Sequence, residues 1–360
     1  MRKTKRWTGI FLCLLTVAFM VIQIPCVNAA DNIQAPTENT DDTLSDASDS
    51  ETTEPEPETP VGWNKIGSDT YYFNNDGSVL TGWKKLANNT FYFDKNGKMK
   101  TGWQKINGKQ FYFATKGKVG VKGKLATGFT QVGKNTFYFK PNGKNGNKGA
   151  LQTGWKKVGK YKYFLTTSGK QGVKGKVVKN QITGSKKTGY AYVDSNGRKI
   201  ETKSIKLSTE FVLAHTSTSQ SKEQKLKACF DYIKNNYPYQ RIYGLPTIKT
   251  LNANYAEYML KNKKGNCFCY ASTFACIARV LGYDARVNEG VITTTAGGPD
   301  THGWTEVRIG KKWYLFDISM HNRLNVNLYK KAKGEYPHTY KYYHRYVLSF
   351  SKNQAIWKKG

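Results

Sequence analysis

Long apolar runs, acidic residues and cysteines are all scarce in this chain of 360 residues, and each scarcity excludes something. Only one apolar run exceeds ten residues, Ile10 to Ile24, which excludes a polytopic membrane protein. Acids number 25 against 57 Lys and Arg. Ten of those acids sit in residues 31–60, which hold no base, so from residue 61 onward 53 bases face 15 acids. Such a surface attracts anionic polymers. Of six cysteines, Cys13 and Cys26 lie in the N-terminal segment, and Cys229, Cys267, Cys269 and Cys276 all fall in the last third. A disulfide scaffold would be smaller and would spread its cysteines through the fold. No paired C-x-x-C spacing occurs, so no metal site is expected. Aromatic residues are plentiful at 14%, and they recur at regular places, which excludes a fully disordered chain.

Arg2, Lys3, Lys5 and Arg6 precede the apolar run, and Val27-Asn28-Ala29 follows it. A charged start, a short apolar run and a small-x-small exit describe a secretory signal peptide over residues 1–29, so the mature protein is expected to be secreted. Residues 30–60 are Asp, Glu, Thr, Ser and Pro with almost no large apolar side chain. That stretch cannot bury enough surface to offset its ordering entropy and reads as a disordered acidic linker.

An internal repeat begins at residue 61. Trp63, Trp83, Trp103, Phe129 and Trp155 each follow a glycine, at spacings of 20, 20, 26 and 26 residues. A short aromatic strand comes after each, centred on Tyr72, Tyr92, Tyr112, Tyr138 and Tyr163. Asn96-Gly97, Asn107-Gly108 and Asn142-Gly143 are the pairs that two-residue hairpin turns favour. Each repeat therefore reads as a β-hairpin that cannot bury its aromatic face alone. Stacking successive hairpins predicts a β-solenoid over 61–205, with Thr188-Gly189-Tyr190 as a last, degenerate unit.

The remainder, 206–360, changes character. Ser221-Lys222-Glu223-Gln224 is a capping box, and Leu226, Phe230, Ile233 and Tyr237 mark one helix face after it. Further helices are expected over Asn254 to Lys261 and from Cys267 to a glycine stop at Gly282. Strand-like runs follow at Ala285–Thr293, Trp304–Ile309 and Trp313–Ile318. Helices first and strands after predict an α+β domain. A tight turn at Gly310-Lys311 would set Trp304 opposite Asp317 and His302 opposite Ser319, all on one face, with Val307, Ile309, Tyr314, Phe316 and Ile318 on the core face. His302 and Asp317 become diagonal neighbours. Cys267 stands where a helix begins, and the positive end of a helix favours a thiolate. Cys, His and Asp together carry the logic of an activated thiol that attacks a carbonyl.

These residues sit in recognisable surroundings. Gly265-Asn266-Cys267-Phe268-Cys269-Tyr270-Ala271 resembles the G-x-C-x-x-Y-A segment of the transglutaminase-like superfamily. His302-Gly303-Trp304-Thr305-Glu306-Val307 and Trp313-Tyr314-Leu315-Phe316-Asp317 resemble its H-x-W-x-E-V and W-Y-x-x-D strands. The resemblance covers roughly residues 220–320. It implies a papain-like α+β core with Cys267 as nucleophile, His302 as base and Asp317 as the orienting carboxylate. No cofactor is implied. Asp317 is followed by Ile318-Ser319, where many relatives carry Pro-Thr.

The aromatic repeats resemble choline-binding, glucan-binding and toxin cell-wall repeats. That implies a wall polymer or glycan of teichoic acid, choline or glucan type as partner, held by Trp63, Trp83, Trp103, Phe129, Trp155 and the five tyrosines. Thr70, Thr90, Gln110 and Thr136 stand where the first aromatic of the choline type usually stands. The chain is thus expected to be a secreted thiol enzyme of a Gram-positive cell wall or surface, a cysteine peptidase or amidase acting on a protein or peptide. A cross-linking transglutaminase would use the same triad. A non-catalytic adhesin on the same scaffold is the rival from another class. No nucleic-acid motif is present, and no membrane contact is expected once the leader is removed.

Overall fold

A computed structural model describes residues 60–242, 255–293, 298–336, 340–351 and 354–360, all within the unit Glu58–Gly360. The expected leader, the acidic linker up to residue 59, and the helix start at Asn254 lie outside the described residues.

Six β-hairpins come first: β1 Gly62–Ile66 with β2 Asp69–Phe73, β3 Gly82–Leu86 with β4 Asn89–Phe93, and β5 Gly102–Ile106 with β6 Lys109–Phe113. Then follow β7 Gly128–Val132 with β8 Asn135–Phe139, β9 Gly154–Val158 with β10 Tyr161–Leu165, and β11 Gln181–Ser185 with β12 Gly189–Val193. Each hairpin is a separate two-stranded antiparallel sheet, and they do not close into a barrel. The glycine before each repeat aromatic has a structural cause. Gly62, Gly82, Gly102, Gly128 and Gly154 all adopt φ between 67° and 76°, a left-handed conformation that opens the strand.

Only one of the three Asn-Gly pairs forms a hairpin tip. Asn107 and Gly108 sit at φ 46° and 76° between β5 and β6, as a type I′ turn requires. Asn96-Gly97 and Asn142-Gly143 lie instead in the connections between hairpins, where the Gly97 amide closes a turn onto the Asp94 carbonyl. Those connections carry the stacking. The amide of Met99 donates to the Thr70 carbonyl, Leu125 to Thr90, Leu151 to Gln110 and Val177 to Thr136, each at 2.8 Å. Each of these four connections thus reaches past the hairpin it follows to the one before, at the same position in the repeat.

Side chains complete the stack. Trp63 packs edge-on against Phe91 of the next hairpin at 5.0 Å, Trp83 against Phe111 at 5.0 Å, and Trp103 against Phe137 at 5.0 Å. Phe91, Phe93, Phe111, Phe113, Phe137 and Phe139 are fully buried. Replacing Phe111 with alanine should therefore destabilise the solenoid by about 3–5 kcal/mol, the usual cost of deleting a buried phenylalanine. Because repeats lean only on their neighbours, urea unfolding followed by Trp fluorescence should show the loss as a separate early transition.

The sixth hairpin, expected as a degenerate unit, belongs to two bodies at once. Tyr192 and Ile200 join the large core of the helical half, and the Asn180 side chain accepts from the Tyr192 hydroxyl and donates to the Gly282 carbonyl.

Helix α1 spans Lys203–His215. Helix α2, Lys222–Asn236, opens on the capping box, with Gln224 and Ser221 exchanging both hydrogen bonds. Helix α3 spans Tyr255–Asn262, and α4 spans Cys267–Val280, with Gly282 at φ 83° just past its end. Strands β13 Asp284–Thr293, β14 Pro299–Ile309 and β15 Lys312–Phe316 follow, then helix α5 Ile318–Leu324, a 3₁₀ turn at Lys333–Glu335, and strands β16 Lys341–Ser351 and β17 Gln354–Lys359. The five strands form one antiparallel sheet in the order β15-β14-β13-β16-β17. Helix α4 is buried along nearly its whole length, in a core it shares with Val287, Val307 and Phe316.

Two strand expectations need correction. The last expected strand stops at Phe316 rather than Ile318, because Asp317 caps α5. Ser319 therefore does not face His302 across a ladder; it lies on α5 and donates to Asp317 Oδ1 at 2.9 Å.

Candidate active site

Asn266 fixes the start of α4. It is buried, its Oδ1 accepts from the Cys269 amide at 3.1 Å, and its Nδ2 donates to the Ile242 carbonyl. A Cβ on Gly265 would meet Cys269 Cβ at 2.4 Å and Sγ at 2.8 Å, so the glycine admits Cys269 into the core. Cys269 is a packing residue, fully buried, and burial pushes its thiol up to about 12. Cys229 and Cys276 are pushed up to about 12 by the same desolvation. Cys267 differs in place: it is the first residue of the helix and lines an open cleft of about 610 Å³. The described cysteines are all unbridged.

The two strands bring the other residues to it. Thr305 pairs with Phe316, so the next step sets Trp304 beside Asp317, as the turn count predicts. Gly303 is needed here too, since a Cβ would meet the Phe268 ring at 2.4 Å. His302 Nε2 lies 2.6 Å from Asp317 Oδ2, and the imidazole lines the same cleft as the Cys267 thiol. Both His302 and Asp317 are buried.

Burial alone would depress the His302 pKa, but the Asp317 carboxylate overrides it, with help from Cys267, and pushes it up to about 10. Burial works the other way on Asp317, yet His302, Tyr340 and the Met320 amide hold its pKa below the ordinary carboxylate value. The imidazolium–carboxylate pair is thus the stable form near neutrality.

Tyr340 is a site residue that sequence reasoning missed. Its hydroxyl donates to Asp317 Oδ2 at 2.5 Å, and its ring packs edge-on against His302 and Trp304. It comes from the tail after residue 322, where no motif announces it. Tyr270 lines the cleft and donates to the Tyr237 carbonyl, and Tyr239 stacks on it at 6.4 Å.

The repeat aromatics fall into two positions. Trp63 faces Tyr72 across its hairpin, and Trp83–Tyr92, Trp103–Tyr112 and Phe129–Tyr138 repeat that pair. All but Phe129 are half-buried, and Phe129 is exposed. In the fifth hairpin Phe164, not Tyr163, faces Trp155. Tyr163 instead takes the place of Phe91, Phe111 and Phe137 and packs on Phe129 at 4.8 Å. The eight-residue spacing from Trp155, one short of the others, is the sequence signal for that change.

Fold and site together define a thiol–imidazole–carboxylate cluster on a helix-and-sheet domain, set after a stack of aromatic hairpins. Residues 209–318 match the transglutaminase-like superfamily, residues 61–101 and 80–123 match a choline-binding repeat, and residues 127–144 match a cell wall binding repeat. The chain therefore carries a transglutaminase-like core domain after choline-binding repeats. That domain suggests a cysteine-type enzyme, and the repeats indicate cell-wall association.

Among solved structures, choline binding protein F from Streptococcus pneumoniae is 31% identical over 39% of this chain and 41% of its own, with a TM-score of 0.32. The choline binding domain of Spr1274 in Streptococcus pneumoniae is 33% identical over 19% of this chain and 96% of its own, with a TM-score of 0.16. The endolysin from phage Cp-1, solved with choline, is 27% identical over 41% of this chain and 40% of its own, with a TM-score of 0.26. The chain spans about 40% of the length of the first of these relatives. No curated protein matches it.

Proposed function

We propose that the protein is a wall-associated thiol hydrolase, a peptidase or amidase, with Cys267 as nucleophile, His302 as general base and acid, and Asp317 as the group that orients the imidazole. One observation carries this: His302 is buried against the Asp317 carboxylate and lines one open cleft with a thiol at a helix start. The Cys267 thiolate attacks the amide carbonyl carbon. The oxyanion that forms takes hydrogen bonds from first-turn amides of α4. His302 passes its proton to the leaving nitrogen as the C–N bond breaks, giving a thioester. Water, deprotonated by His302, then releases the acid and restores the thiol.

An amine acceptor would give a cross-linked product from the same thioester. The charge of the chain favours water, since a surface with 53 bases against 15 acids from residue 61 onward repels an incoming ammonium group. It equally favours an anionic wall polymer as the partner of the repeats, which would hold the domain close to amide bonds in the wall. We further infer export through the N-terminal leader.

Alkylation of the cysteines, followed residue by residue across pH, tests the reading. Cys267 should label rapidly from acidic to neutral pH, and His302→Ala should slow it. Cys229, Cys269 and Cys276, with pKa values pushed up to about 12, should label only on unfolding. Equal, slow labelling of all four would remove the enzyme reading. Accumulated thioester should then be offered water and a primary amine in competition, and the acid should predominate.

A further inference from the structure

The five-stranded sheet has a second built face, opposite the one that Val287, Val307 and Phe316 turn to the core. Its register sets Trp304, Asn288 and Arg345 in one row across the strands, since Trp304 pairs with Asn288 and Asn288 with Arg345. The neighbouring row holds Leu315, Glu306 and Arg286. Over these rows lies a cavity of about 730 Å³, walled by Trp304, Trp313 and Tyr336. Four cations line it: Arg286, Lys312, Lys333 and Arg345. Glu306 is its one acid, and it is committed, at 2.5 Å to Arg286 and 2.8 Å to the Tyr336 hydroxyl.

Beneath this cavity the sheet is chemically unfinished. Asn288 is 1% exposed, and neither its amide nitrogen nor its oxygen has a hydrogen-bond partner. Its cross-strand neighbour Trp304 is equally buried, and the indole N–H is also unpartnered. Native structures rarely bury polar groups in this way without a ligand or water to satisfy them. Here two such residues are adjacent, and one of them lines the cavity.

We propose that this cavity is a second ligand site and that its ligand is an acidic amino sugar. The flat aromatic walls offer stacking surfaces for the C–H face of a pyranose ring. With Arg286 paired to Glu306, the exposed Lys312 and Lys333 keep the lining cationic, which calls for a carboxylate or phosphate on the ring. The unpartnered indole N–H of Trp304, on the lining, calls for an acceptor such as the carbonyl oxygen of an acetamido group. The site does not depend on the thiol chemistry. It meets that chemistry at two residues: Trp304 stacks on His302, and Tyr340 lines the cavity and bonds Asp317.

The full chain can be titrated with N-acetylmuramic acid and, separately, with uncharged N-acetylglucosamine, while the indole N–H resonances are followed by NMR. Trp313→Phe identifies the Trp313 signal. That signal should shift in a saturable way with the acidic sugar, and the signals of Trp63, Trp83 and Trp103 should stay still. The neutral sugar should bind about fivefold more weakly or less, and the Lys312→Ala/Lys333→Ala double variant should weaken the acidic sugar by about the same factor, the scale of screened ion pairs. Both lysines are exposed, so the double variant keeps the fold. A silent Trp313, a shift confined to the repeat tryptophans, or equal response to both sugars would each overturn the proposal.

Discussion

Cys267→Ala is expected to abolish amide turnover, by about 10⁴-fold or more, because the nucleophile of a concerted triad has no substitute. The same variant should keep its fold. Cys267 lies at the edge of the core, where removing one sulfur opens toward the cleft rather than leaving a sealed void. It should also keep its attachment to wall polymer, since the Trp–Tyr pairs of the hairpins are made from Trp63 through Tyr138, far from α4 in the chain. Loss of chemistry with attachment intact separates an enzyme from an adhesin. Cys269→Ala is the matching control. Its thiol packs under Gly265 and is pushed up to about 12, so activity should stay within a few-fold of the parent. If Cys267→Ala changed nothing measurable in a sample that turns over substrate, the assignment of the nucleophile would fall.

The hairpins were legible because a period of 20 or 26 residues repeats glycine, tryptophan and an aromatic strand, each of which has one structural job. Their stacking rule was not legible. It runs through backbone carbonyls at Thr70, Thr90, Gln110 and Thr136, and a carbonyl leaves no mark on residue type. The absence of an aromatic at those positions was visible, but its meaning was not.

The meeting of His302 with Asp317 could be counted from one tight turn, because strand register is rigid over a few residues. The same count failed two residues later. Asp317 prefers to cap a helix, and Ile318-Ser319-Met320 supplies the first turn. Strands β16 and β17 were missed, since Lys341–Ser351 mixes tyrosine, lysine and histidine without clean alternation. Tyr340 went with them, because a residue that acts through a distant partner has no local signal.

Asp317→Asn probes that distant partnership and should cost about 10⁴-fold in turnover while sparing the fold. Asparagine caps helices as well as aspartate does, so α5 keeps its first turn. What changes is the electrostatics. Asp317 accepts from His302 Nε2, the Tyr340 hydroxyl, the Ser319 hydroxyl and the Met320 amide, and a carboxylate can take all four. An amide brings N–H groups of its own into that ring of donors and removes the negative charge. Burial, the largest single influence on His302, then outweighs what Cys267 alone can offset, and its pKa should fall from about 10 to below the ordinary value of 6.5.

The sign of the stability change follows from that shift. In the parent, the raised His302 contributes stability that is full below pH 6.5 and is lost as pH rises through about 10. The depressed Asp317 contributes stability that is present above 3.8 and is lost as pH falls through its lowered value. In the variant the acid is gone and the histidine is depressed, so stability should instead decline as pH falls through the imidazole range, and the alkaline loss should vanish. Melting temperatures between pH 4 and pH 10, with imidazole titration by NMR, would show the reversal. An unchanged profile would mean that His302 does not depend on Asp317 for its charge, and the buried pair would lose its place in the chemistry.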